Sequence, residues 1–312
     1  MKNVFVNLKR FDVPRNTGGV CGEKNPDQWI RQVVRDSVEL GIGALDDMHV
    51  VYMIPEALII PALGELNSIP SENRGALSVG CQSVFREDVK PGGNFGAFTA
   101  NLPAAAAKNI GCTWTMIGHS EERKDKQGII GAFATDWNSC GETRGQVMSA
   151  VSSLLNSQVL RAMEQGLKVL FCVGETAEQR GDGNFEEQKP RIEKVLADQL
   201  RDGLNGIQEY SGEGNIVIGY EPVWAIGPGK TPPGKEYIAF VSTLIKDIGK
   251  QLFDRELPVV YGGGLKLENA GMISSIETID GGLVALTRFS GEIGFYVEEF
   301  KAIIDAYNEY KD

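Results

Sequence analysis

Ile216-Val217-Ile218-Gly219-Tyr220-Glu221-Pro222-Val223-Trp224-Ala225-Ile226-Gly227-Pro228-Gly229-Lys230 is an unbroken apolar run that stops on an acid, a proline and a glycine-rich tip. Its first five residues show no polar alternation, which is the pattern of a short strand buried on both faces. Comparable runs occur at Val4–Val6, Val50–Met53, Leu77–Cys81, Trp114–Ile117, Val169–Val173, Val259–Tyr261 and Leu283–Leu286. Helix-period segments lie between them. In 27–40, Ile30, Val33, Val34 and Val38 share a face, with Asn25-Pro26 as a start and Gly41 as a stop. Residues 235–252 and 295–307 carry similar stripes. Eight strands, each followed by a helix, predict a parallel sheet closed into a (β/α)8 barrel, with an open doubly wound sheet as the alternative. No composition break divides residues 1–312, so one domain is expected.

Three segments exceed a minimal barrel. Residues 10–26, 86–101 and 124–155 are long, polar or glycine-rich, and follow the first, third and fourth strands. A barrel puts such enlarged loops on the C-terminal rim, where active sites sit.

Composition narrows the function. A net charge of −11 argues against nucleic acid or an anionic membrane as partner. No apolar stretch reaches the length of a membrane span, and the N-terminus reads as a strand rather than a signal peptide. The five cysteines, at 21, 81, 112, 140 and 172, have no metal-ligand spacing and read as free thiols of a reducing compartment. With only His49 and His119 in the chain, a polyhistidine metal site is excluded.

Four places can carry chemistry. Glu221 leaves the end of the sixth strand, and Pro222 fixes the backbone behind it. It reads either as a solvated strand-end acid or as a base beside a lid tipped by Gly227 and Gly229, with Lys230-Thr231-Pro232-Pro233 opening the next helix. His119 directly follows the fourth strand in Ile117-Gly118-His119-Ser120-Glu121-Glu122-Arg123, where Ser120 and Glu121 can cap the next turn. Asn7 and Lys9 alternate at the end of the first strand, so both can face the barrel mouth. An ammonium there is costly unless an anion compensates for it. Tyr261-Gly262-Gly263-Gly264 can bring backbone N–H groups to a phosphate, and the segment after the eighth strand can offer one a helix N-terminus.

Asn7-Leu8-Lys9, Ile117 through Arg123, Phe171-Cys172-Val173-Gly174-Glu175, Tyr220 through Lys230, and Tyr261-Gly262-Gly263 together resemble the triosephosphate isomerase family, in the family's order and across nearly the whole chain. The resemblance implies a TIM barrel, a homodimer, a cytoplasmic enzyme and a small phosphorylated sugar as substrate, with no metal or cofactor. It implies Glu221 as the base, His119 as the electrophile, Lys9 as positive charge positioned with Asn7, and Glu121 as an acid near the site. Pro222 to Thr231 would be the lid, with the Gly227 amide as a phosphate ligand. Gly96-Ala97-Phe98-Thr99 resembles the family's dimer loop, which would carry Thr99 toward a partner's site.

Departures gather where the phosphate would bind. Gly264 stands where the family has serine, and its amide remains available. Val284-Ala285-Leu286-Thr287-Arg288 replaces a turn with two glycines, so the expected backbone ligand falls on Leu286. Arg288 reads equally as a forked phosphate contact or as a surface residue. These changes leave open a longer ketose phosphate, such as a tetrulose phosphate. A Schiff-base aldolase would have to use Lys9 or Lys168, and a non-catalytic sugar-phosphate binder is the third class.

Overall fold

Each apolar run becomes a strand of one closed sheet. The computed structural model describes residues 1–210, 212, 214–227 and 229–309. The strands are β1 (Lys2–Asn7), β2 (Met48–Ile54), β3 (Leu77–Cys81), β4 (Trp114–Ile117), β5 (Lys168–Val173), β6 (Ile216–Tyr220), β7 (Val259–Tyr261) and β8 (Gly281–Val284). They pair in sequence order as a closed barrel, and β1 pairs with β8 in parallel to complete the ring. The helices are α1 (Pro26–Glu39), α2 (Glu56–Ser68), α3 (Ala104–Asn109), α4 (Ser120–Phe133), α5 (Gly141–Glu164), α6 (Ala177–Arg180), α7 (Phe185–Gly203), α8 (Lys235–Phe253), α9 (Ala270–Ser274) and α10 (Val297–Asn308).

The two-faced burial read from the strands has a direct cause. Phe5, Val51, Met53, Trp114, Met116 and Leu170 point into the barrel and form an inner cluster, where the Phe5 and Trp114 rings meet edge to face at 5.0 Å. Their strand neighbours, such as Val4, Val6, Val50 and Val169, belong to the larger core between sheet and helices. One period-2 backbone thus feeds two apolar layers.

Three expectations are corrected. The eighth strand runs from Gly281 to Val284 rather than Leu283 to Leu286. Gly281 opens it at φ 144, and a side chain there would collide with the Asn3 backbone. Glycines read poorly as strand residues, yet here they permit the closing contact. The enlargement after β4 is mostly helical. Polar α4 buries no residue, whereas α5 buries Val147, Val151, Leu155 and Val159 at a four-residue spacing. Lastly, the helix expected to start at 230–233 begins at Lys235. The enlargement after β1 is largely irregular, held by a bridge from Pro14 to Cys21. The one after β3 is irregular to its end at α3, and Asp88 anchors it by accepting the Ala105 N–H there at 3.1 Å.

Leu155 is fully buried in α5. We expect Leu155→Ala to lower unfolding stability by about 2–5 kcal/mol, read from the urea midpoint. A loss under about 0.5 kcal/mol, the scale of a surface substitution, would mean that α5 does not pack on the barrel.

Candidate active site

The C-terminal ends of β1, β4 and β6 bring together three of the side chains singled out above. Asn7 closes β1 almost fully buried, and its Oδ1 accepts the Lys9 backbone N–H at 3.0 Å. Lys9 holds a left-handed backbone, φ 37, which is unfavourable for a residue with a side chain. Gln82, just past β3, donates to the Lys9 carbonyl at 2.8 Å and to Asn7 Oδ1 and the Met53 carbonyl at 3.3 Å. These bonds clamp the turn and send the Lys9 ammonium to Glu121, 2.6 Å away. Burial works to raise the Glu121 carboxyl, but the bond and charge of Lys9, together with His119, outweigh it and hold the group below its ordinary range.

His119 follows β4 by two residues and Glu221 follows β6 directly, with β5 between the two strands. His119, rather than Ser120 or Glu121, caps α4: its Nδ1 accepts the Glu121 N–H at 3.3 Å. A ring nitrogen that accepts at a helix start carries no proton, so the ring proton belongs on Nε2. Nε2 lies 3.1 Å from Glu221 Oε1. The Glu221 carboxylate also accepts the Ser120 N–H at 2.9 Å and the Ser120 hydroxyl at 3.1 Å. Burial pushes its carboxyl above the ordinary value, while His119, the Ser120 donors and Arg123 pull it back. Gly174 lets the Glu221 main chain lie close against the end of β5, since a Cβ there would lie 1.8 Å from the Glu221 carbonyl oxygen.

Around this pair the rim is braced. Arg123 donates to the carbonyls of Gly118 and Cys172, both at 2.9 Å, tying the ends of β4 and β5. Glu122 accepts from the Gly118 N–H at 2.7 Å and from Gln158 of α5 at 2.9 Å. Glu175 is fully buried, and its Oε1 collects Tyr220 of β6 at 3.0 Å and Trp224 and Tyr237 at 2.7 Å each. Burial raises the Glu175 carboxyl, and those donors oppose the shift. Trp224 belongs to the segment after Pro222, so Glu175 holds the start of that segment. The tip residue Pro228 lies outside the described residues. Its neighbours Gly227 and Gly229 have φ 120 and 74, angles that favour glycine.

The β7–β8 side of the rim is less uniform. Gly264 has φ 91 and no side chain to hinder approach to its amide. Leu286 lies past β8 and packs partly against the outer core. Arg288 is engaged elsewhere: it bonds Glu299 at 2.7 and 2.6 Å and stacks on the Tyr296 ring at 3.6 Å. Those contacts make it a strut between the last loop and α10. Nor does α10 offer an anion site, because Glu298 and Glu299 occupy its first turn. Lys168 opens β5, at the end of the barrel remote from the rim.

The residues missed from the sequence are Gln82 and the holding role of Ser120. A polar residue immediately after an apolar strand is the signal that flagged Asn7 and Lys9, and it applies equally to Gln82 after Cys81.

A closed barrel carrying an acid, an imidazole and an ammonium on its C-terminal rim defines a (β/α)8-barrel enzyme. Residues 43–306 match the family model described as triosephosphate isomerase. The chain is similar to the triosephosphate isomerase of Pelodictyon phaeoclathratiforme, with 34% identity over 68% of this chain and 71% of the relative. To that of Marinobacter nauticus it is 29% identical over 88% and 93%. The solved triosephosphate isomerase of Bartonella henselae covers 98% of this chain and 99% of its own, with a TM-score of 0.65 and 22% identity, a likeness of fold alone. The chain belongs to the triosephosphate isomerase family.

Ser120→Ala removes a donor that favours the ionised form of Glu221. In the base role proposed below, Glu221 works only when deprotonated, so activity falls as pH drops through its raised pKa. The acid limb of the kcat/KM profile is therefore expected to move to higher pH in Ser120→Ala. An unmoved limb would mean that Ser120 does not tune the acid.

Proposed function

We propose that this chain interconverts dihydroxyacetone phosphate and glyceraldehyde 3-phosphate. Glu221 takes a proton from the carbon beside the carbonyl, and the electron pair moves into an enediolate. The same carboxyl returns the proton to the neighbouring carbon. His119 Nε2–H gives its proton to the carbonyl oxygen as charge develops there, and the ring takes up the proton of the neighbouring hydroxyl, which becomes the new carbonyl; the Lys9 ammonium adds positive potential. Asn7 positions Lys9, and Gly227, Gly264 and Leu286 present backbone amides toward the phosphate. The lid from Pro222 to Thr231 excludes water, which protects the enediolate from losing phosphate. The observation that carries this reading is the approach of His119 and Glu221 to 3.1 Å across β5.

The rest of the reading draws on the family. A cytoplasmic homodimer fits four buried free thiols and a protruding loop whose Phe95 is 88% exposed. Among the described residues, no helix is long and apolar enough to cross a membrane.

A second reading has its own support. Ala285 and Leu286 replace two glycines, and the Arg288 charge is spent on Glu299, so the phosphate grip differs from the family's. A longer ketose phosphate would use the same proton transfer with a displaced phosphate. Three-, four- and five-carbon ketose phosphates assayed side by side separate the two; we expect the highest kcat/KM for the triose.

In either case Glu221→Asp should lose at least about a hundredfold in kcat/KM, because a shorter acid misplaces the base by about an ångström. Full activity in that variant would reject Glu221 as the base.

A further inference from the structure

The α4–α5 enlargement does more than cover the barrel. It forms one wall of a cleft of about 1070 Å³, closed by α7, the segment after β5 and the start of the lid. The volume is that of a site for a small organic molecule. Ser120, which holds Glu221, is part of this wall, as are the lid residues Val223 and Ile226.

Its charges are unevenly spent. Asp198 is held by Lys194 at 2.7 Å and Arg201 at 2.8 Å. Asp202 is held by Arg201 at 3.0 Å and Ser149 at 3.1 Å. Glu121 is taken by Lys9. Among the described residues, Lys124 makes no ion pair and Arg144 reaches only the exposed Glu178 at 3.9 Å, whereas the Arg123 guanidinium is spent on the Gly118 and Cys172 carbonyls. The cleft therefore keeps two cations, Lys124 and Arg144, that are free or only loosely engaged, in a chain of net charge −11. Half-buried Trp137, Met148 and part-exposed Ile226 add apolar surface.

We propose that this cleft is a second binding site, for an organic anion with a flat apolar part, the chemistry of a nucleoside monophosphate. The anionic end faces Lys124 and Arg144, and the ring lies against Trp137. Occupancy braces the wall that carries Ser120 and the lid base, so the ligand alters isomerisation without entering the catalytic mouth. This regulatory half rests on the proposed isomerase activity; binding does not.

Titration of the full-length protein with AMP, followed by tryptophan fluorescence, tests binding independently of catalysis. We expect a saturable change that disappears in Trp137→Phe. Affinity should fall about tenfold or more in Lys124→Ala/Arg144→Ala, and adenosine or inorganic phosphate alone should bind at least about tenfold more weakly than AMP. Saturating AMP should change kcat/KM for dihydroxyacetone phosphate in the wild type, while the double variant keeps basal activity and loses the response. No binding at millimolar AMP, or binding indifferent to the double substitution, overturns the site. Binding of phosphate as tight as that of AMP overturns the role of the ring. Binding without any kinetic response overturns the regulation, and an inactive protein that still binds AMP refutes the isomerase reading alone.

Discussion

A carboxylate that is 2% exposed, at the end of a strand, is the constraint on which this structure turns. Burying an unpartnered charge costs several kcal/mol, so Glu221 can remain ionised only with donors aimed at it. Ser120 supplies two and His119 faces it with a third. All come from the turn between β4 and α4, two and three residues past the strand, so the acid has its partners only if β4, β5 and β6 end at one level. The parallel register achieves this: Ile117 pairs with Phe171, and Phe171 with Ile218. Gly174 then leaves the space that the Glu221 backbone carbonyl occupies.

A braced backbone before Pro222 and glycine backbone angles beyond it follow from the same arrangement. Glu221 N–H donates to the Val173 carbonyl at 2.8 Å, a bond that extends the sheet by one residue. Past Pro222 the chain is tethered through Trp224 to Glu175, and then reaches glycines at left-handed angles. A base aimed at carbon needs the first property, and a lid that admits substrate and expels water needs the second.

Much of the barrel was legible because burial on both faces leaves a strong mark: short apolar runs separated by helical stripes. Polar residues directly after those runs, Asn7, His119 and Glu221, announced the rim. What could not be read depends on neighbours distant in sequence. Whether Arg288 meets a phosphate or Glu299 is decided by the docking of α10, and that Ser120 would face Glu221 rather than cap α4 needed the strand order. The Val147, Val151, Leu155 and Val159 stripe was present in the sequence, but the glycines and polar residues before it read as loop. Gly281 and Gly282 hid the start of β8 because glycine's value there is the absence of a side chain.

The central claim is that Glu221 moves a proton between adjacent carbons. Incubating dihydroxyacetone phosphate with the enzyme in heavy water, and following deuterium at the carbon-bound positions by NMR, observes that transfer itself. Wild-type protein should introduce deuterium at the carbon next to the carbonyl, and Glu221→Gln should introduce it no faster than the enzyme-free solution. Deuterium incorporation at the wild-type rate in Glu221→Gln would contradict the account.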